Sequence, residues 1–354
     1  MVIRMKKKIF RVICFGIIFV QLFVSVSYIL RKAENGTKIR LAGFYELEAD
    51  CVDMIMVGSS PVHPYWATSL AYHEYGFTSY PLSSDVQQPS LTSFLVKEGL
   101  RTQSPSLVVV ETRMFMRTQE EFDSFENIDN SFRAVIDNTK YSWERFQFID
   151  SVVQMNKTTY WFDIIKYHTT WKTTTPKELK YWDYREKSLY DGFCWAPDVK
   201  NLDVLVNNKE IQEEIPIPIE QERYLSEIIN YIEKSNTEVL FILAPYQITE
   251  EQCKMANYME HFIREAGYEY INFNKLYDEV GVNFDTDFYN SGHMNVLGAE
   301  KYTRYLGKLL QEKYNLPDHR GDEEYAQWDV DYEVWKQQAE VTKSQIYQLI
   351  DESK

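Results

Sequence analysis

Cysteine is scarce in this chain: Cys14, Cys51, Cys194 and Cys253 are the only four in 354 residues. Cys14 lies inside an apolar run without the surroundings of a lipid-attachment site, and the other three are odd in number and widely spaced. No disulfide framework or zinc spacing emerges from them, although a single pair among the three stays open. There is no Gly-rich phosphate loop and no metal-ligand cluster, so no dissociable cofactor and no metal are expected. Basic residues fall short of acidic ones, 38 against 53. Seven of the basic residues stand before position 33 with no acid among them, which leaves a formal charge of −22 on residues 33–354. A surface of that sign repels nucleic acid and anionic lipid. Its plainest reading is a solvated acidic face rather than a site for a specific cation.

Long apolar runs are missing too, with one exception. Residues 12–30 are apolar but for Gly16, Gln21, Ser25, Ser27 and Tyr28, and they follow Arg4, Lys6, Lys7, Lys8 and Arg11. Nineteen helical residues are long enough to cross a hydrocarbon core of about 30 Å. The basic cluster before the run predicts a cytoplasmic N-terminus and an extracytoplasmic remainder. A cleaved signal peptide is the alternative. No small-x-small site follows the run, and Arg31 and Lys32 come at once, which favours an uncleaved single-pass anchor over residues 1–35. The sequon Asn156-Lys157-Thr158 has meaning only in a eukaryotic secretory pathway, whereas the abundance of Tyr, Phe, Asn and Lys points to an AT-rich bacterial source.

What is present is concentrated in two short segments. Residues 52–61, Val-Asp-Met-Ile-Met-Val-Gly-Ser-Ser-Pro, read as a buried strand that ends in a tight turn with a serine at the joint. Residues 287–299, Asp-Phe-Tyr-Asn-Ser-Gly-His-Met-Asn-Val-Leu-Gly-Ala, read as a loop carrying a histidine just ahead of a helix. A serine at the end of one strand and a histidine from a late loop are how α/β enzymes pair a nucleophile with its base.

The two blocks resemble those of the SGNH (GDSL-type) hydrolase superfamily. Gly58-Ser59-Ser60 stands at its nucleophile block and residues 290–293 at its late Asp-x-x-His block, so the resemblance implies Ser60 as nucleophile and His293 as base. His293-Met294-Asn295 with Gly298-Ala299 is similar to the membrane-anchored branch that works beside membrane-bound O-acyltransferases in alginate acetylation and teichoic-acid D-alanylation. The resemblance covers roughly residues 45–115 and 236–315. It implies a membrane-bound O-acyltransferase as partner and a cell-surface polysaccharide as acceptor.

Between the blocks, apolar runs at 52–57, 107–111, 238–244 and 270–273 and the alternation over 77–82 predict strands. Helices are predicted at about 62–73, 89–100, 249–266 and 297–310. Strands alternating with helices indicate a three-layer, doubly wound, five-stranded parallel sheet, with ligands at the carboxyl ends of its strands. The α/β domain is expected over 36–315, with an aromatic-rich helical insertion at about 116–235 that closes with a helix at 218–234. A polar helical tail follows at 316–354. The insertion is either a lid or acceptor-binding subdomain over the active edge, or a helical unit whose aromatics form its own core.

Three departures from the family pattern bear on the site. Asn290, not aspartate, stands three residues before His293. Its carbonyl can accept the imidazole N–H but cannot stabilise an imidazolium by charge, so Asp287 or Asp285 is the alternative orienter. Ser83-Ser84 stands where the family's glycine gives an oxyanion N–H, and Glu111-Thr112-Arg113 where its asparagine stands. Ser84, Glu111 and Arg113 are therefore candidate oxyanion or substrate-binding residues, an Arg–Glu pair being the bland reading. A strand-to-helix turn would direct N–H groups and the helix dipole at the oxyanion, whereas Ser59 or Ser60 acting only as an N-cap is the structural alternative. His63 is expected in the pocket wall and His168 as a subsite residue. A non-catalytic glycan-binding or assembly factor with an eroded site is the rival function.

Overall fold

Residues 2–31, 35–125, 128–173, 193 and 195–352 are described by the structure, a computed structural model. The chain runs α1 (Val2–Leu30), α2 (Asn35–Glu46), β1 (Met54–Gly58), α3 (Thr68–Tyr75), β2 (Ser79–Ser83), α4 (Pro89–Thr102) and β3 (Leu107–Glu111). The insertion adds α5 (Gln119–Ser124), α6 (Ile128–Ile136), α7 (Trp143–Val152), α8 (Thr158–Trp161) and α9 (Ile164–Tyr167). Then come α10 (Ile219–Ile232), β4 (Glu238–Leu243), α11 (Glu250–Glu265), β5 (Glu269–Asn272), α12 (Tyr277–Val280), β6 (Phe288–Asn290), β7 (His293–Met294), α13 (Val296–Lys313) and α14 (Ala326–Glu352).

β1 to β5 form one all-parallel sheet in the order β2-β1-β3-β4-β5. The protein is thus an α/β domain on a five-stranded sheet, with an N-terminal helix, α1, long and apolar enough to cross a membrane. The strands are buried on both faces, and their alternation splits the core in two. Ile55, Val57, Val108, Val110, Phe241 and Leu243 pack with Leu95 of α4, Leu225 and Ile228 of α10 and Met259 of α11. Met54, Met56, Leu107, Val109, Leu240 and Ile242 pack with Trp66, Tyr302 and Leu306 on the opposite face. α10 lies against α4 as the crossover helix into β4, so it belongs to the outer layer and does not hang over the active edge. The tail helix α14 packs on α3, burying Trp335 and Ala339 against Ala67 and Leu70.

The helix predicted at 62–73 begins only at Thr68. Residues 60–67 form tight turns, with the Val62 N–H on the Ser59 carbonyl at 3.0 Å and the Trp66 N–H on the Val62 carbonyl at 3.0 Å. Pro64 is the cause: it strips one amide donor and disfavours the helical region for His63 before it. No helix N-terminus therefore sits at Ser60. Because β1 lies between β2 and β3, the winding direction reverses at β1 and β3. The turn after β1 and the end of β3 both open into the crevice where such sheets bind ligands.

Candidate active site

Ser60 and His293 meet at this crevice: Ser60 Oγ and His293 Nε2 are 2.7 Å apart. Gly58 lets the strand end there. A side chain at position 58 would place its Cβ 2.7 Å from the Glu111 Cβ and 2.9 Å from a Val62 methyl. Ser59 is buried, and its hydroxyl accepts the Gln87 N–H at 3.0 Å, which leaves Ser60 as the half-exposed serine of the pair.

His293 stands on the short antiparallel pair β6–β7. Asn290 Oδ1 accepts the Gly292 N–H at 2.9 Å and lies 2.9 Å from His293 Nδ1. The Gly292 amide can only donate, so the Asn290 oxygen must face it, and His293 Nδ1 must carry the ring proton. Nε2 then presents its lone pair to the Ser60 hydroxyl. The Tyr289 ring stacks on the imidazole with centroids 5.4 Å apart, and Ser291 O accepts the Gln247 N–H. The orienter is thus Asn290, not an aspartate. Asp287 is buried elsewhere: its carboxylate takes Lys301 at 2.7 Å, the Thr286 hydroxyl at 3.0 Å and the Asn283 N–H at 2.8 Å. Asp285 is exposed, its own N–H donated to Asn283.

The remaining candidates divide. Arg113 extends its guanidinium to the Gly292 carbonyl at 2.6 Å and lies 4.8 Å over the Tyr246 ring. It is bound to Glu111 through its backbone N–H, at 3.1 Å from Oε1, so the bland alternative, an Arg–Glu ion pair, is not what joins them. Glu111 is buried beneath the turn; burial raises its carboxyl to about 7 against the opposing pull of Arg113. The Ser84 hydroxyl donates to Gln87 Oε1 at 3.1 Å and is buried, held by the loop. His168 is exposed, its Nδ1 on the Ile165 carbonyl, and it makes no contact with Ser60.

His63 is buried between Ser83 Oγ at 3.1 Å and Asp85 Oδ1 at 3.2 Å. Burial first, and the nearby Arg40 second, hold its imidazole down at about 4. His293 is held lower still, at about 3, by burial, then by Arg113 and His63, with Asp85 opposing. At neutral pH both rings are uncharged, so the His293 Nε2 lone pair is open to the Ser60 hydroxyl. Asp85 and Gln87 join the site without any sequence pattern that marks them. They sit on a loop bent through Val86 at φ +47°, a left-handed conformation that a β-branched residue rarely adopts. Asp85 on His63 and Gln87 on Ser59 hold that bend. Strain of about 1–3 kcal/mol at such a position tends to mark functional sites.

Beside the crevice, a cleft of about 820 Å³ opens between the first turns of α4 and α10 and the insertion. Gln88, Ser90, Gln221, Tyr224, Phe132 and Tyr160 are among the residues lining it. Ser90 Oγ and Gln221 Oε1 in its wall are buried without a hydrogen-bond partner. Among the described residues, no group of three or more His, Cys, Asp or Glu is placed to hold a metal ion. Cys51 and Cys253 are not joined by a disulfide, and the Cys253 thiol meets Asn208 Oδ1. Cys194 lies outside the described residues, as do Tyr181 and Trp182 of the insertion. No family model matches this chain, and comparison with the curated proteins gives no match.

Proposed function

We propose that this chain is a membrane-anchored serine acyl-ester enzyme of the SGNH kind, an O-acyltransferase or esterase acting on a cell-surface polysaccharide. The observation that carries the reading is the relay Ser60–His293–Asn290, with contacts of 2.7 and 2.9 Å and a tautomer set by the Gly292 amide. Ser60 Oγ bonds to the acyl carbonyl carbon as its proton passes to His293 Nε2. The tetrahedral intermediate collapses, and the leaving oxygen takes that proton. The acyl group then moves from Ser60 to a sugar hydroxyl or to water, whose proton passes to His293 and back to Ser60. Arg113, one contact away through Gly292, supplies positive charge beside the site. The amides, hydroxyls and aromatic faces of the neighbouring cleft suit a polyhydroxylated acceptor. The basic residues ahead of α1 favour an extracytoplasmic domain, and a membrane-bound O-acyltransferase is the donor partner that the resemblance implies.

The rival, a non-catalytic glycan-binding or assembly factor, draws support from the uncharged orienter and from an imidazole that resists protonation. Acylation separates the two. Full-length protein incubated with para-nitrophenyl acetate should gain one acetyl mass on Ser60. Ser60→Ala should abolish the addition, and His293→Ala should slow it about 10²–10⁴-fold, the usual worth of general-base help. Wild-type protein that takes no label would leave the assembly reading in place.

A further inference from the structure

The end of α1 does not project freely from the domain; it is clasped by the insertion. Phe162 sits edge-on against Phe23, centroids 5.9 Å apart at 80°. Tyr141 meets Tyr28 edge-on at 5.8 Å. The Arg31 guanidinium lies 4.2 Å over Tyr28 and its Nε donates to the buried carboxylate of Asp163, which also accepts the Tyr141 hydroxyl. Thr170 Oγ1 donates to the Leu30 carbonyl at 2.6 Å.

These contacts fix a depth. Arg11 and Arg31 bracket the uncharged stretch of α1. Its 19 residues rise about 28 Å as a helix, which fills a hydrocarbon core of about 30 Å and puts Arg31 at the outer interface. A charge at that level is paired by protein, as Asp163 pairs it. Phe23 lies eight residues before Arg31, about 12 Å deeper along the axis. Phe162, touching Phe23, therefore lies below the level of Arg31. Around this clasp the insertion leaves large apolar side chains in the open: Trp143 is 71 % exposed, Trp171 64 %, Ile165 47 % and Phe162 40 %. Trp171 adjoins Thr170, which holds Leu30. Trp143 is two residues from Tyr141, which holds Tyr28. Lys172 reaches to within 6.0 Å of the Trp171 ring, the mixture of indole and cation found at headgroup level.

We propose that residues 141–172 are an interfacial foot seated in the outer leaflet. Phe162 and Ile165 enter the acyl-chain boundary, and Trp143 and Trp171 lie among the headgroups. The occupant of this apolar face is lipid because the face is continuous with the membrane-crossing helix that touches it. Helices lying in the interface bury their apolar side about 5–10 Å deep; with its ring centroid 5.9 Å from that of Phe23, Phe162 can sit at the lower end of that band while touching a residue about 12 Å deep. The proposal rests on the reading of α1 as a bilayer-spanning anchor.

The test uses the full-length chain in phosphatidylcholine nanodiscs whose acyl chains carry bromine, a quencher of indole emission. A zwitterionic lipid removes any dependence on headgroup charge. Retention of the protein with the discs reports the anchor, and quenching reports the foot. Wild-type emission should be quenched relative to unbrominated discs, and a Trp143→Phe, Trp171→Phe double variant should lose most of that difference. Adding Phe162→Trp to the double variant should restore quenching, more strongly with bromine deep in the chain than near the headgroup. Failure to co-purify with discs would remove the anchor reading and the foot with it. Retention with quenching equal in wild type and double variant, and none regained on adding Phe162→Trp, would overturn the foot alone. It would assign the exposed face to a protein partner.

Discussion

The site turns on one atom choice at position 290. An asparagine there gives His293 the correct tautomer through its carbonyl oxygen, and it withholds the negative charge that would favour the imidazolium. Burial, Arg113 and His63 all press His293 toward its neutral form, to about 3. Acylation that requires neutral His293 should therefore persist well below the ordinary histidine range, losing rate only as the pH approaches about 3–4. Asn290→Asp adds a charge 2.9 Å from Nδ1, which raises the imidazole pKa. The acid limb of the acylation profile should move to higher pH, and the rate at neutral pH should rise roughly 10-fold through stronger basicity. Stopped-flow release of para-nitrophenol against pH, in wild type and N290D, measures both. An unshifted limb would mean that another group sets it. The serine and the histidine are legible in the sequence because each sits in a short local pattern. Asp85 and Gln87 are not, because their importance comes from a bend that brings residues 20-odd positions from Ser60 under its turn. Local patterning does not encode such a contact.

At the scale of elements, the sequence pattern locates all five strands of the sheet: β1, β3 and β4 read as the continuous hydrophobic stretches of parallel strands buried on both faces, while residues 77–82 read by alternation and 270–273 as a short run. The turn at 60–67 is where the same reading fails. Pro61 suits a first helical turn, but Pro64 three residues later forbids continuing it. The consequence reaches the chemistry: Ser60 is presented by a strand end and a turn, without a helix dipole behind it. That presentation depends on β1 and β3 approaching closely at Gly58. Gly58→Ala must displace Glu111 or Val62 from 2.7 and 2.9 Å contacts, an overpacking that costs about 1–3 kcal/mol. It should lower the denaturation midpoint with an unchanged slope and reduce acylation of Ser60. A companion Gly267→Ala tests whether the effect is local: its Cβ would meet nothing within 4 Å, and only its φ of +87° opposes it. It should lose stability while keeping the Ser60–His293 geometry and the acylation rate of the folded fraction.

Across the whole molecule, the crevice holding Ser60 and His293 and the clasp on α1 are built from different parts. The turn after β1 carries Ser60 and the β6–β7 pair carries His293, while the insertion carries Asp163 and Tyr141 against Arg31, with Arg145 stacked on the Tyr141 ring. Composition points to the span and to an aromatic insertion. It does not reveal that the two pack on each other, since contacts between residues more than 100 positions apart leave no periodic trace. The pairing at Arg31 is the weak point of this arrangement. Both partners are buried, and removing one member of such a pair typically costs about 3–5 kcal/mol because the other charge is stranded. Asp163→Ala should therefore loosen the insertion from α1, seen as faster proteolysis within residues 141–172 and a lower melting temperature. Acylation of Ser60 by a soluble ester should change little, because no residue of the relay touches this cluster. Arg31→Met with Asp163→Leu, which replaces the pair by apolar groups, should restore protease resistance. If the double change is as protease-sensitive as the single one, the clasp depends on the hydrogen bonds of Asp163 to Tyr141 rather than on charge. If Asp163→Ala abolishes acylation in a folded protein, the insertion and the crevice are coupled more tightly than their separate cores imply.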